Sequence, residues 1–207
     1  MFKPMVVDLS HHNNVTSYTE MMNSGIVGLI HKATQGTKYV DPRYEYRKPR
    51  AIKAGLLFGA YHFADGSDVK DQVSHFLDTV GDTKDQLLCL DFEPNPNGSS
   101  MSIRQARDWL DLVRDRTGQK ALFYSGHYVK ELLGTKKDEL LGKHRLWLAQ
   151  YGPKLKLPTT WNECWLWQYA ADGIGPQPRK ISGVDGTPDL NVFCKNDPDL
   201  LRKEWIQ

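Results

Sequence analysis

Eight short apolar runs, at 5–8, 26–30, 56–63, 87–90, 120–124, 146–149, 165–169 and 189–193, constrain the fold of this chain more than any other feature. Several are apolar along their whole length, as in Leu87-Leu88-Cys89-Leu90. A strand with no polar face must be buried on both faces, the setting of a parallel sheet covered by helices. Segments with helical spacing separate the early runs, at 17–23, 43–54, 69–80 and 102–116. In the third, Val73, Phe76, Leu77 and Val80 share a face; in the fourth, Trp109, Leu110 and Val113 do so. Ser102 stands where an N-cap belongs and Gly118 follows the helix end. Alternating strands and helices predict an α/β architecture. The last three runs are divided by Pro- and Gly-rich loops with little helical pattern, before a short helix near 198–205. The expectation is a single irregular β/α barrel that finishes with bare strands.

The 207 residues suit one domain, taken as 1–207, with no repeat or linker. A net charge of +2 without a dense Lys/Arg run gives no case for nucleic-acid binding. No run approaches the ~20 apolar residues of a membrane span. No signal peptide is visible, so synthesis as a soluble cytoplasmic product is expected. Cys89, Cys164 and Cys194 match no metal pattern, and no functional disulfide is expected.

The polar residues fall in a pattern. Asp8, Lys32, His62, Asp91 with Glu93, Tyr124, Gln150 and Gln168 each sit at the C-terminal end of a strand-like run. In a β/α barrel that rim carries the active site. One polar strand end means nothing; a whole set of them, several acidic, points to a shared site.

Asp91 and Glu93 are the strongest pair. Residues i and i+2 of a strand share a face, about 6.6 Å apart along it. Two carboxyls that close cannot both ionise freely, so one keeps its proton beside a carboxylate. Glycoside cleavage needs that combination: an acid for the leaving oxygen and negative charge near an oxocarbenium-like centre. Metal binding by Asp8, His11 and His12 was the competing use of the first loop. Adjacent histidines seldom share a metal and no further His lies at ligand spacing, so no metal or other cofactor is expected.

Taken in order, these stretches resemble a known family. They are Asp8-Leu9-Ser10 with Asn13, Lys32-Ala33-Thr34-Gln35-Gly36, Gly59-Ala60-Tyr61-His62-Phe63, Asp91-Phe92-Glu93, Trp147-Leu148-Ala149-Gln150-Tyr151, Trp167-Gln168-Tyr169 and Asp189-Leu190-Asn191. The set is similar to glycoside hydrolase family 25, the Chalaropsis-type lysozymes or N-acetylmuramidases. The resemblance implies about five β/α units followed by three closing strands. It implies cleavage of the β-1,4 bond between N-acetylmuramic acid and N-acetylglucosamine in bacterial cell-wall peptidoglycan. Carried over by position, Glu93 is the general acid and Asp91 its partner, stabilising positive charge or orienting the acetamido group. Asp8 and Asp189 are the other acids of the pocket. Tyr61, Tyr124, Trp167 and Gln168 line the sugar sites, with His62 and Gln150 beside them on the rim. Gln35 is a departure, because the family commonly has Glu there.

Rival expectations are a glycan-binding module without turnover and a chitinase-like hydrolase using the same D-x-E chemistry. A compact wall hydrolase without a leader suits a phage or prophage endolysin, or a bacterial enzyme delivered by a secretion machine. The chain is expected to act as a monomer.

Overall fold

The computed structural model describes residues 2–206. Its first half alternates strand and helix: β1 (Val6–Leu9), α1 (Tyr18–Asn23), β2 (Gly28–Gln35), β3 (Tyr39–Val40), α2 (Tyr44–Ala54), β4 (Leu57–Phe63), α3 (Val69–Val80), β5 (Gln86–Asp91), α4 (Ile103–Thr117), β6 (Leu122–Ser125) and α5 (His127–Leu133). Three strands without intervening α-helices follow, β7 (Leu146–Ala149), β8 (Leu166–Ala170) and β9 (Asp189–Phe193), then α6 (Pro198–Lys203). The sheet order is β1-β9-β8-β7-β6-β5-β4-β2-β3, and a β1–β2 pairing closes it into an eight-stranded barrel with β3 as an appendage. Five β/α units and three closing strands are thus present.

Two layers of apolar side chains follow from strand alternation. Val6, Ile30, Cys89, Leu122, Trp147, Leu166 and Phe193 fill the barrel. Leu88, Leu90 and Phe123 face the other way, onto the helices. Val73, Phe76 and Val80 of α3 and Trp109, Leu110 and Val113 of α4 are buried in that outer layer. Ser102 caps α4 as its sequence predicts. Its hydroxyl accepts from the Gln105 amide (3.3 Å), and Gln105 Oε1 accepts from the Ser102 amide (3.0 Å). Trp205 seals the end of the barrel opposite the rim, donating to the Phe58 carbonyl at 3.0 Å. A Cβ at Gly28 would lie 2.5 Å from its ring, so this close approach requires glycine.

Three features depart from the sequence reading. β9 runs antiparallel to both β8 and β1, although the apolar runs alone favour an all-parallel sheet. The chain leaves β8 at the rim and enters β9 at the rim through Asp189, so β9 runs back antiparallel; a parallel strand would need a crossover to the far end of the barrel, as between β7 and β8. The seven residues of α5 bury only Val129, too little for helical periodicity to show. The hairpin partner β3 is two exposed residues.

Candidate active site

Strand register assembles the site. Asp8 lies opposite Ile30 of β2 and Asp189 of β9, Tyr61 opposite Lys32 and Cys89, and Asp91 opposite Tyr124. Asp8, Lys32, Asp91 and Tyr124 are each two positions along from a residue that fills the barrel, namely Val6, Ile30, Cys89 and Leu122. They therefore point inward, at the C-terminal rim. Asp189 opens its strand rather than ending it. Because β9 is antiparallel, its first residue reaches the rim where the parallel strands finish.

Asp8, Tyr61, Asp91, Glu93, Tyr124, Trp147 and Asp189 line a cavity of about 70 Å³. That space admits about two waters, not a sugar ring. It opens beside a groove of about 500 Å³ lined by Glu93, Pro94, Tyr124, Tyr128, Lys130, Gln150 and Tyr151 among others. The groove has the volume of a small-molecule site. Glu93 and Tyr124 are common to both spaces. The strand stops at Asp91, so Glu93 stands just beyond it, between floor and groove.

Hydrogen bonds hold the floor rigid. Gln168 donates its amide to both Asp8 oxygens (3.1 and 3.0 Å) and accepts from the hydroxyls of Tyr124 and Tyr151 (3.0 Å each). Asn191 donates to Asp8 (2.7 Å) and accepts from the Trp147 indole (2.6 Å). Asp91 is the exception. Its Oδ1 is buried and meets no donor among the described residues. An unsatisfied buried carboxyl oxygen is costly, and such groups concentrate where chemistry is done.

The electrostatics follow from burial and crowding. Burial raises Asp91 well above the usual carboxyl range; Glu93 and Asp8 add to this, and Lys32 opposes it. Burial also raises Glu93, again against Lys32. Asp8 is pushed up to about 7 by burial, against the hydrogen bonds from Asn191 and Gln168. Asp189 is pushed up to about 9 by burial and then by Asp8. The result is a proton-rich acidic cluster near neutral pH with one nearby cation. Lys32 donates to Gln35 Oε1 at 2.7 Å and sits 4.8 Å from the Phe63 ring centroid. Gln35 thus orients Lys32 without neutralising it.

Not every predicted residue reaches the site. His62 follows an inward Tyr61, so strand parity turns it out of the barrel. It is fully buried, bonded to Thr34 (2.7 Å) and Gln72 (3.0 Å), and stacked on Trp109. Trp167 likewise faces the outer layer beside inward Gln168. Its indole donates to the Gln150 carbonyl (2.8 Å) and its ring meets Phe2 edge-on at 5.1 Å. Neither lines the cavity or the groove. Gln150 does line the groove, held by Lys130 at 2.6 Å. His11 pairs with Asp41 at 3.0 Å. Three contributors had been given no site role. Trp147 and Asn191 are legible in principle from strand parity, whereas Tyr151 lies in a loop and its only signal is its place in the Trp147-Leu148-Ala149-Gln150-Tyr151 stretch.

The profile of glycosyl hydrolases family 25 matches residues 7–177. The chain belongs to family 25 of the glycosyl hydrolases. That makes it a glycoside hydrolase of the lysozyme class. Lysozyme M1 of Streptomyces globisporus is 28% identical over 214 residues, covering 94% of this chain and 69% of that protein. The muramidase of Trichobolus zukalii is 27% identical with a TM-score of 0.81, over 96% of this chain and 97% of that one. A Streptomyces coelicolor lysozyme is 28% identical with a TM-score of 0.78, over 90% of each chain. The profile stops before β9, while the muramidase superposition spans 96% of this chain.

Proposed function

We propose that this family-25 hydrolase cleaves the β-1,4 bond between N-acetylmuramic acid and N-acetylglucosamine in peptidoglycan, with Glu93 as general acid. One observation carries the division of labour: of the two crowded carboxyls, Glu93 alone borders both the acidic floor and the groove. A proton donor must reach the glycosidic oxygen, which arrives from the groove. Asp91 lies beneath, buried, where it faces the sugar's developing positive charge or its acetamido group. Asp8 and Asp189 complete the negative floor, and Gln168 and Asn191 fix Asp8. The glycan lies along the groove against Tyr124, Tyr128 and Tyr151, whose rings offer apolar faces to sugars.

The test is digestion of purified peptidoglycan by the parent protein and Glu93→Gln, with fragments read by mass spectrometry. The parent should leave muramic acid at the new reducing ends. The variant should lose a factor of about 10²–10⁴, the range for removing a general acid. Equal rates for the two proteins would remove Glu93 from the role. Activity confined to chitin oligomers would overturn the substrate.

A further inference from the structure

The groove does not end at Gln150. Through His127, Lys130 and Gln150 it continues into a second hollow of about 540 Å³, where Lys156, Leu157 and Pro158 form the far wall. This hollow contains none of the catalytic acids. Two cations line it. Lys130, on α5, is partly buried, and Lys156, on the loop after β7, is exposed. Burial and then the charge of Lys156 push the Lys130 ammonium down. The cations are close enough to repel, and among the described residues neither has a carboxylate within 4.0 Å. On the same helix His127 and Glu131 pair with each other at 3.0 Å, and Glu131 makes no ion pair with Lys130. Position is enforced as well. Lys130 donates to Gln150 Oε1 (2.6 Å), and Gln150 Nε2 donates to the Lys154 carbonyl (2.5 Å), tying the loop to α5. A pair of like charges held beside a substrate groove is a place for an anion.

We infer that Lys130 and Lys156 bind a free carboxylate of the peptide borne by the substrate's N-acetylmuramic acid, making the enzyme selective for peptide-substituted glycan. The inference rests on the muramidase reading, which supplies a glycan in the groove. The peptide is attached at the lactyl group of that sugar and carries free carboxylates. The hollow is continuous with the groove, so a branch leaving a glycan laid along the groove has a place to enter. Each contact is a partly solvated charge pair, so the gain is modest and falls with salt.

The test uses Lys156→Glu, which places a carboxylate beside Lys130 and cancels both cations from an exposed position. Three substrates are compared. These are peptidoglycan stripped of wall phosphate polymers by acid, the same material with those polymers retained, and peptide-free glycan strands made with an amidase. On stripped peptidoglycan kcat/KM should fall about tenfold, through KM, and Lys156→Arg should restore it. On peptide-free strands Lys156→Glu should match the parent. Equal losses on stripped peptidoglycan and peptide-free strands would overturn the inference, as would no loss on the stripped material. A loss seen only with polymers retained would assign the cations to wall phosphate and overturn it too. A parent protein unable to cleave any of the three substrates would sink the muramidase reading, and this inference with it.

Discussion

Replacing Gln35 with Glu puts a carboxylate oxygen where an amide oxygen now accepts from Lys32 at 2.7 Å. Lys32 is the cation that opposes the upward push on both Asp91 and Glu93. At the effective dielectric of ~20 that suits partly buried charges, a unit charge about 10 Å away is worth ~1.7 kcal/mol, a little over one pKa unit. The new carboxylate acts twice in the same direction. It shields Lys32, and it adds its own repulsion. Glu93 should therefore hold its proton to higher pH. A general acid is active while protonated, so activity is lost as pH rises through its pKa. In Gln35→Glu the alkaline limb of kcat/KM against pH should move upward by about one unit. The assay is initial-rate clearing of a peptidoglycan suspension from pH 4 to 9 at constant ionic strength. Thermal melts across the same range confirm that both proteins remain folded. A limb that stays in place, or moves down, would refute Lys32 as the cation that tunes the pair.

Other expectations follow from the same geometry. Asp189 has its pKa raised to about 9 by burial and neighbouring acids, so the folded state keeps a proton that the unfolded chain gives up near the ordinary 3.8. The stability tied to that proton is complete below the unfolded value and declines as pH rises towards 9. Asp189→Asn should thus be more stable than the parent at pH 8 by a few kcal/mol, on the order set by linkage, with the gap closing near pH 4 in urea unfolding. His62→Ala should cost about 3 kcal/mol by removing a ring stacked on Trp109 and unpairing Gln72 and Thr34. Its kcat/KM per folded molecule should stay within about twofold of the parent, and a larger loss would return His62 to the site. Gln168→Leu strips Asp8 of a donor and two tyrosine hydroxyls of their acceptor. We expect kcat/KM about 10–100-fold lower with little change in KM; a pure KM effect would make Gln168 a substrate contact instead.

Much of this site was legible because its chemistry is tied to strand ends. Asp8, Asp91 and Tyr124 each close an apolar run, and the i, i+2 spacing of Asp91 and Glu93 announces a crowded pair. The misplacements of His62 and Trp167 share one cause. Both are polar or aromatic residues near a strand end, but each is one residue out of phase with the inward neighbours Tyr61 and Gln168. A one-residue shift along a strand reverses the face entirely. In short runs that are apolar on both sides, hydrophobicity does not reveal the phase.

The order of elements, the buried strands and the helix faces of α3 and α4 were determined by the sequence itself, because burial on both faces and 3.6-residue periodicity are local properties of the chain. Which acids share a cavity is a property of the closed barrel, which the sequence reached only through its family resemblance and not through any local pattern. Asp8 and Asp189 lie far apart in sequence yet opposite one another in register, because β9 returns antiparallel and brings its first residue to the rim. The raised proton affinities, the unpartnered oxygen of Asp91 and the orientation of Lys32 arise from that convergence. Burial and mutual repulsion depend on distances in space, which a sequence of strand ends does not contain.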